Sequence, residues 1–372
     1  MTEAWERSPP LRLLPERGSI EVLDQTRLPL EHARVELKSL NDCAAAIRKM
    51  LVRGAPLIGI TAAGGLAIAV SAAADDAALR GAVNTLAATR PTAVNLRWAL
   101  ERMAAKLSDV PAGVRRELAW SLARELQEEE HLCCERIGEH GGALLQGAAR
   151  SAAAMARGRV NVLTHCNAGW LATGAWGTAL APVYRAVKEG IPVHVWVDET
   201  RPRNQGARLT AWELREAGIP YTLIVDNAAG HLMQRGEVDI CLVGSDRTTA
   251  SGDVCNKIGT YQKALAARDN NIPFHVALPL STFDWDLQDG IRSIPIEDRD
   301  EAEVLLQQGA DPQGALHDIR QSPTGTRAAN PAFDVTPARL VTSLVCEHGV
   351  FPALPDALAT LRALAGHARA AL

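Results

Sequence analysis

Val243-Gly-Ser-Asp-Arg-Thr-Thr-Ala-Ser-Gly-Asp-Val-Cys-Asn-Lys-Ile-Gly-Thr-Tyr261 joins a predicted strand to a predicted helix through a polar loop. The strand is an apolar run from Val238 to Val243, and Asp246 follows it three residues later. In an open parallel α/β sheet, the loops that leave the carboxyl ends of the strands form the ligand crevice. The stretch therefore predicts an α/β fold and places Asp246 where a ligand would bind.

The second half of this stretch predicts the start of a helix. Asp253 is the predicted N-cap, so that Asn256 and Lys257 fall in the first turn. Free amide groups and the positive end of a helix dipole suit a phosphate group. Two interpretations stay open: a proton-transferring carboxylate beside an anion site, or an ordinary strand-to-helix connection with a solvated Asp246.

Composition limits the classes of protein to consider. The chain has 372 residues, 47% hydrophobic and 22% charged, with a net charge of -4, which is typical of a globular protein with room for two domains. It has no stripe of Lys and Arg, so we expect no nucleic acid partner. The first residues carry no signal segment, and we find no run of the ~18 apolar residues that a membrane span needs, so we expect a cytoplasmic protein.

Cysteine and histidine spacing argues against a disulfide framework and a metal site. The seven cysteines are an odd number without a CxxC pair, and the ten histidines form no HExxH motif or close cluster. We therefore expect reduced thiols and no bound metal.

The first ~155 residues are predicted to be mainly helical, after a lead-in with short strands at 19–23 and 33–37. The pattern of apolar residues, caps and Gly or Pro punctuation indicates the helices. They are expected at 43–52, 60–74, 76–87, 94–107 and 114–156, the last one broken at Gly138 or Gly141-Gly142.

After Arg159 the pattern changes to short apolar runs that alternate with helical stretches, which is typical of βαβ units. Strands are expected at 160–163, 193–197, 221–225, 238–243, 274–278 and 340–345, helices at 173–189, 209–217, 228–234 and 256–269, and a last helix at 355–372. Residues 284–335 are expected to run over the surface. The predicted fold class is thus α/β, with a mainly helical N-terminal domain (1–130) followed by a Rossmann-like parallel-sheet domain (131–372).

Cys166 follows the strand at 160–163 and should share the crevice with Asp246. A thiol at this position can be a thiolate of low pKa or a neutral proton carrier, whereas a small buried apolar side chain is the commoner role of Cys. His165 precedes it, but consecutive strand residues point to opposite faces. We therefore predict that His165 is a core or backbone-bonding histidine and not the partner of a Cys–His dyad.

Further candidates lie in loops. Gln205 precedes a helix after the strand at 193–197 and is predicted to aim its carboxamide at the crevice, and Glu199 competes with Asp246 as the acid. Arg53 and Arg90 each lie at a helix boundary beside Gly or Pro, where an Arg fork can bind phosphate, although a surface salt bridge is the commoner role.

The chain resembles the methylthioribose-1-phosphate isomerases of methionine salvage, in the superfamily shared with the regulatory subunits of translation initiation factor 2B. The matching motifs are Arg53-Gly-Ala-Pro-Leu-Ile-Gly, Arg90-Pro-Thr-Ala-Val-Asn-Leu, Leu163-Thr-His-Cys-Asn-Ala-Gly, Asp198-Glu-Thr-Arg-Pro, Gln205-Gly-Ala-Arg-Leu-Thr-Ala-Trp-Glu-Leu, Gly244-Ser-Asp-Arg, Gly252-Asp-Val-Cys-Asn-Lys-Ile-Gly-Thr-Tyr, Ser281-Thr-Phe-Asp and Asn330-Pro-Ala-Phe-Asp-Val-Thr-Pro. They follow one another over residues 53–337. The resemblance implies a homodimer with a small-molecule sugar phosphate as substrate, and we expect no cofactor and no membrane or nucleic acid partner.

Matched motif by motif, the resemblance implies that Cys166 and Asp246 are catalytic. It also implies a set of residues that bind the sugar phosphate: Arg53, Gly54, Ala55, Arg90, Gln205, Asn256 and Lys257. Asn204, the loop residues Thr248, Thr249 and Ser251, and Cys255 depart from the family pattern, which bears on substrate preference more than on reaction type.

The implied reaction is the aldose–ketose isomerisation of 5-methylthioribose 1-phosphate, with 5-deoxyribose 1-phosphate as a further substrate. The segment Thr282-Phe-Asp-Trp285 is predicted to line the methylthio group. Two alternatives stay open, namely a ribose-1,5-bisphosphate isomerase and a non-catalytic regulatory subunit like those of initiation factor 2B.

Overall fold

The computed structural model describes residues 4–90 and 93–370. Pro91 and Thr92 of the predicted Arg90 loop, and the last two residues of the predicted terminal helix, lie outside the described residues. The N-terminal part comprises α1 (Ala4–Arg7), β1 (Leu11–Leu14), β2 (Ser19–Leu23), β3 (Arg34–Leu37), α2 (Leu40–Arg48), α3 (Ala55–Ala72), α4 (Asp76–Ala87), α5 (Val94–Ser108), α6 (Ala112–Ala148) and α7 (Ala152–Arg157). β1, β2 and β3 form an antiparallel sheet, of which β1 was not predicted.

α3 is the central helix of the N-terminal layer. It begins at Ala55, five residues before the predicted start, because Pro56 fits the first turn of a helix. It is long and apolar enough to cross a membrane, so the prediction that no such run exists was wrong. Nevertheless, 83% of the residues of α3 are buried inside the protein, as expected of a core helix.

α6 runs unbroken through the glycines at which a break was predicted, and this prediction was wrong. A Cβ on Gly138 would lie 3.2 Å from the Ala181 carbonyl oxygen, and one on Gly141 would lie 2.3 Å from Pro182 Cγ. The glycines therefore allow a neighbouring helix to pack closely against α6. The predicted boundary between residues 130 and 131 falls inside this helix.

The C-terminal part begins at residue 160. Its elements are β4 (Val160–His165), α8 (Trp170–Thr173), α9 (Ala181–Lys188), β5 (Val193–Asp198), α10 (Ala211–Glu216), β6 (Tyr221–Ile224), α11 (Ala228–Gln234), β7 (Ile240–Val243), β8 (Arg247–Thr249), β9 (Val254–Lys257), α12 (Thr260–Asp269), β10 (Phe274–Ala277), β11 (Phe283–Asp284), α13 (Gly290–Ser293), α14 (Ala302–Leu305), β12 (Leu306–Ala310), β13 (Leu316–Arg320), β14 (Phe333–Thr336), β15 (Ser343–Cys346), β16 (Gly349–Pro352) and α15 (Pro355–Ala370).

The main sheet has seven strands in the order β16-β15-β10-β7-β4-β5-β6. All neighbours are parallel except β16, which runs antiparallel to β15. The six predicted strands correspond to β4, β5, β6, β7, β10 and β15, so the predicted α/β fold class is confirmed. From β4 the chain continues to β5 and β6 on one side, while β7 returns to the other side. The pair β4–β7 is thus the topological switch point, where ligands bind in sheets of this kind.

A second, four-stranded sheet (β11-β8-β9-β14) and the hairpin β12–β13 complete the C-terminal part. β8 and β9 replace the predicted loop and the first turn of the helix at 256–269. The hairpin lies in the segment predicted to run over the surface, and every residue of β13 is exposed.

Candidate active site

A cavity opens at the carboxyl edge of β4 and β7 and faces the start of α3. Cys166 follows β4 directly, and Asp246 follows β7. All nine predicted site residues line this cavity: Arg53, Gly54, Ala55, Arg90, Cys166, Gln205, Asp246, Asn256 and Lys257. The sheet contributes the thiol and the carboxylate, and the N-terminal layer contributes two of the cations.

The backbone at Cys166 is held in a left-handed conformation, with φ of 63°. Its amide donates to Thr200 Oγ1 at 2.9 Å, and its carbonyl oxygen accepts from Thr210 Oγ1 at 2.6 Å. A residue other than glycine in this region costs about 1–3 kcal/mol and persists only when its surroundings hold it. The two threonine hydroxyls supply that restraint on both sides of Cys166.

Burial sets the protonation of the groups in the cavity. It raises the pKa of the Cys166 thiol, although the charges of Arg53 and Lys257 act in the opposite direction. It also raises the pKa of the Asp246 carboxyl, against Lys257 and Arg53, and lowers the pKa of Lys257. The thiol therefore carries its proton at neutral pH, and Asp246 is a carboxyl group that can accept and return a proton.

Asn256 and Lys257 lie on β9, so their prediction in the first turn of a helix was wrong. The helix α12 begins only at Thr260, and the amides of Gly259 and Tyr261 at its start donate to the Asp334 carboxylate at 2.7 and 3.1 Å. A carboxylate from β14 thus occupies the position that was predicted to bind phosphate.

The predicted N-cap at Asp253 was wrong for the same reason. Its carboxylate accepts from the amides of Gly290 and Ala338, each at 3.0 Å, and so joins two surface segments to the second sheet. Asp253 therefore has a structural contact outside the cavity.

The helix N-terminus at the cavity is that of α3. Gly54 precedes it with φ of 92°, and a Cβ at this position would lie 2.5 Å from Ala172 Cβ. Only glycine allows this approach of α3 to the residues that follow β4. No side chain caps the start of α3, and Ala55 lines the cavity, so its amide is the first-turn donor closest to a ligand there; Pro56 has no amide hydrogen and the Ile58 amide donates to the Gly54 carbonyl oxygen.

Arg53 is fixed by the residue after the thiol. Its guanidinium donates to Asn167 Oδ1 and, at 2.6 Å, to the Asn167 carbonyl oxygen. Asn167 in turn donates to Glu213 Oε1 at 2.8 Å. Sequence reasoning missed Asn167 and Glu213, because their role depends on contacts far apart in the chain.

Two buried polar atoms at the cavity have no hydrogen-bond partner among the described residues, namely Arg90 Nε and Gln205 Oε1. Arg90 also pairs with Glu297 at 3.2 Å, so the salt-bridge interpretation holds for one of its nitrogens only. An unpaired buried donor and acceptor are costly, and a polar ligand in the cavity would satisfy both.

Other candidates lie elsewhere. Glu199 is not among the residues that line the cavity in the described ranges. Of the segment predicted to line the methylthio group, only Thr282 reaches the cavity. Phe283 and Trp285 stack on each other at 4.4 Å and line a neighbouring cavity, so their prediction was wrong. The apolar lining comes instead from Met50, Pro56, Ile58, Ile294, Pro295 and Phe333.

His165 is buried and bonds to the backbone, as predicted. Its Nε2 lies 2.9 Å from the Ile258 carbonyl oxygen and its Nδ1 lies 2.7 Å from Asp198 Oδ2. His165, Asp198 and Asp226 are also close enough to ligate one ion, but the Lys263 ammonium lies 2.7 Å from Asp198 Oδ2 and already neutralises this carboxylate. The absence of a metal stays a prediction.

Comparison with known proteins is consistent with this fold and site. The model of the initiation factor 2 subunit family matches residues 51–353, and the chain belongs to this family. Among its relatives, the methylthioribose-1-phosphate isomerase of Methylorubrum populi is 59% identical over 351 residues, which are 94% of this chain and 95% of the relative. The enzyme of the same name from Escherichia coli is 55% identical, over 92% and 91% of the two chains.

Two solved structures agree in fold at 37% identity. The 5-methylthioribose 1-phosphate isomerase from Pyrococcus horikoshii OT3 has a TM-score of 0.81 and covers 96% of each chain. The translation initiation factor eIF-2B, subunit delta, from A. fulgidus has a TM-score of 0.76 and covers 94% of this chain and 99% of its own. The family therefore includes proteins named as enzymes and proteins named as initiation factors.

Proposed function

We propose that this protein is an aldose–ketose isomerase that converts 5-methylthioribose 1-phosphate to 5-methylthioribulose 1-phosphate in methionine salvage. The observation that carries this proposal is the shared cavity, in which a protonated thiol and a buried carboxyl lie among four cationic side chains, of which Arg247 pairs with Asp284. The 59% identity to a named isomerase over nearly the whole chain supports it.

Asp246 acts as the proton-transferring group in this proposal. Isomerisation requires ring opening and a proton shuttle between the ring oxygen and the new carbonyl oxygen. A carboxyl whose pKa is raised by burial accepts a proton more readily than a solvated one and can return it. Asp246 gives a proton to the ring oxygen as the bond between that oxygen and C1 breaks, and takes one from the C2 hydroxyl as the carbonyl forms. The hydrogen on C2 moves to C1 next to the Cys166 thiol, which assists this transfer and keeps its own proton, so that the substrate gains and loses no atoms overall.

Arg53, Arg90 and Lys257 bind the phosphate, together with the amide of Ala55 at the start of α3. Arg90 Nε has no partner among the described residues, and Lys257 reaches the cavity from a buried strand. Burial increases the strength of their interaction with a dianion and fixes the sugar relative to Asp246. Gln205 and Asn256 contribute amide groups for the sugar hydroxyls.

The cavity also has a lining for an apolar substituent. Met50, Ile58 and Phe333 contribute to it, which suits a 5-methylthio group or the methyl group of 5-deoxyribose 1-phosphate. A second phosphate, as in ribose 1,5-bisphosphate, would require a further cation, and Arg247, the fourth cation of the lining, pairs with Asp284 at 3.4 Å.

We also propose that the protein is a cytoplasmic homodimer. Its domain boundary near residues 130 and 131 would lie within α6, so that this helix is shared by both domains.

The test follows ketose formation by the purified protein with 5-methylthioribose 1-phosphate, 5-deoxyribose 1-phosphate and ribose 1,5-bisphosphate. We expect turnover of the first two. Cys166→Ser and Asp246→Asn should each lower kcat by about 10²–10⁴-fold, since each removes a group that transfers hydrogen.

Cys133→Ser is the matched control, because Cys133 lines a different cavity. Its kcat should equal that of the unmodified protein. If Cys166→Ser and Asp246→Asn turned over at the same rate as this control, the assignment of the two groups would be wrong. Absence of turnover with all three substrates would favour a regulatory subunit.

A further inference from the structure

A group of buried charges lies directly behind the cavity. We define the Asp198 cluster as Asp198, His165, Lys263 and Thr200, of which the first three have side chains no more than 3% exposed. Asp198 Oδ2 lies 2.7 Å from both His165 Nδ1 and Lys263 Nζ. Asp198 Oδ1 accepts a hydrogen bond of 2.7 Å from Thr200 Oγ1. One carboxylate thus joins three side chains.

The hydrogen bonds define the charge of this cluster. His165 Nδ1 faces the Asp198 carboxylate, while Nε2 faces the carbonyl oxygens of Ile258 at 2.9 Å and Lys257 at 3.3 Å. All of these neighbours are hydrogen-bond acceptors, so each ring nitrogen of His165 faces an acceptor. Burial opposes ionisation of Asp198, but His165 and Lys263 outweigh it and hold the pKa of this carboxyl at about 2.

Two arms connect the cluster to the cavity. In the first, Thr200 donates to Asp198 and accepts from the Cys166 amide at 2.9 Å. In the second, His165 donates to the carbonyl oxygens of Lys257 and Ile258. The Asp198 carboxylate therefore restrains the backbone of both Cys166 and Lys257.

This arrangement is a poor device for stability alone. Desolvation of buried charges offsets most of their mutual attraction, so an apolar core would serve at least as well. What the cluster adds is a fixed distance between Cys166, which follows β4, and Lys257, at the end of β9. A charged hydrogen-bond network has few alternative arrangements of similar energy.

We propose that Thr200 and His165 are positioning residues for the isomerisation. Both bind Asp198, and through it they keep Cys166 and Lys257 at the fixed separation that one substrate molecule requires. This inference rests on the proposed function. Thr200 is not among the residues that line the cavity in the described part of the chain. His165 is among them, but both of its ring nitrogens bond within the protein and neither is left for a substrate. Their effect on the reaction is therefore transmitted through Cys166 and Lys257.

The test compares Thr200→Val with Thr200→Ser. Valine keeps the shape but loses the hydroxyl, and serine keeps the hydroxyl. We expect Thr200→Val to lower kcat about 10–100-fold while KM changes by less than about threefold, since a displacement of the order of 1 Å can cost this much. Thr200→Ser should restore most of kcat.

Thr336→Val is the matched control for a buried threonine. Its hydroxyl has no hydrogen-bond partner among the described residues, so kcat and KM should stay at their original values. The proposal is overturned if Thr200→Val keeps the kcat of this control, or if Thr200→Ser is as impaired as Thr200→Val.

A second readout does not depend on turnover. The rate at which iodoacetamide alkylates Cys166, followed by peptide mass spectrometry, should rise several-fold in Thr200→Val because the restraint on its backbone is lost. Cys133 is the internal reference and should react at an unchanged rate. If the protein converts none of the three sugar phosphates, the proposed function fails, and the alkylation ratio still decides this inference: an unchanged ratio overturns it.

His165→Gln cuts the second arm and replaces Thr200→Val if that variant does not fold. We expect a fall in kcat of at least about 10-fold. An unchanged kcat together with an unchanged rate of Cys166 alkylation would overturn the proposal in this variant as well.

Discussion

Glu213→Gln should remove a large pH dependence of stability. The Glu213 carboxylate is fully buried and accepts hydrogen bonds from the amides of Trp170 and Leu171 at 2.9 and 3.0 Å. It also accepts from Tyr184 Oη at 2.9 Å and from Asn167 Nδ2 at 2.8 Å. Through these four hydrogen bonds, the Glu213 carboxylate holds the start of α8 and also Asn167, which orients Arg53.

Burial nevertheless dominates the ionisation of Glu213. It raises the pKa of this carboxyl from 4.5 to about 7, although Asn167, Leu171 and Tyr184 lower it through their hydrogen bonds. Between these two values the folded protein binds more protons than the unfolded chain. The stability contributed is therefore fully present below pH 4.5 and is lost as the pH rises through 7. At about 1.4 kcal/mol for each pKa unit, the loss is about 3 kcal/mol, of which about 2 kcal/mol falls between pH 5.5 and 8.

Urea denaturation of the unmodified protein and of Glu213→Gln measures this effect. Both are unfolded at pH 5.5 and at pH 8, at one fixed protein concentration. The quantity to compare is the free energy of unfolding of Glu213→Gln minus that of the unmodified protein. Any hydrogen bond lost in the variant changes this difference equally at both pH values, so the test uses only how the difference changes with pH. From pH 5.5 to pH 8 it should shift in favour of Glu213→Gln by about 2 kcal/mol. Glu216→Gln is the control on the same helix, since its side chain is 41% exposed. A difference that is equal at both pH values would refute the reasoning.

Three further predictions concern stability. Gly54→Ala should lower the free energy of unfolding by about 2–4 kcal/mol, because the new Cβ would lie 2.5 Å from Ala172 Cβ at φ of 92°; an unchanged urea midpoint would contradict this. Gly81→Ala should raise it by about 0.5–1 kcal/mol, since nothing lies within 4 Å of a Cβ in this part of α4; a lower midpoint would exclude this account. Burial lowers the pKa of His275 from 6.5 to about 4, so this side chain alone should cost about 3 kcal/mol of stability as the pH falls from 6.5 to 4, a range in which Glu213 acts in the opposite direction. In urea denaturation of the unmodified protein and of His275→Asn, the difference between their free energies of unfolding should shift by about 3 kcal/mol in favour of His275→Asn over this range; a constant difference would contradict this.

The parallel sheet was predictable because its inner strands are almost entirely buried apolar runs between turn signals. β4 is buried at every position, and its sequence contains three apolar residues between Val160 and Leu163. The hairpin β12–β13 was not predictable on these grounds, because β13 is exposed throughout and has no apolar periodicity. The unbroken course of α6 was missed because its glycines serve packing against Ala181 and Pro182, which are far away in sequence.

The position of the candidate residues was predictable where a reactive side chain follows a strand, as at Cys166 and Asp246, which both line the cavity. β9 was misassigned because Asp253 followed by polar residues has the same local pattern as a helix start. What decides the local structure is Asp334, whose strand pairs with β9 and whose carboxylate caps α12. Glu213 was missed for a similar reason, since its sequence is that of an ordinary amphipathic helix and its partners lie between 29 and 46 residues earlier in the chain.

The cavity depends on both layers of the molecule at once. Arg53 is oriented by Asn167, and Gly54 packs on Ala172, so the start of α3 and the segment after β4 hold each other in place. Further along the edge, Asn95 Nδ2 donates to Ser281 Oγ at 2.9 Å. A phosphate bound by Arg53 and Arg90 of one layer and by Lys257 of the other, with the sugar held over the thiol, would therefore link these layers further. In this arrangement the phosphate of the substrate takes no part in the reaction, but its binding energy helps to align the sugar with Cys166 and Asp246. An isomerase that acts on a small sugar phosphate can use the phosphate in this way.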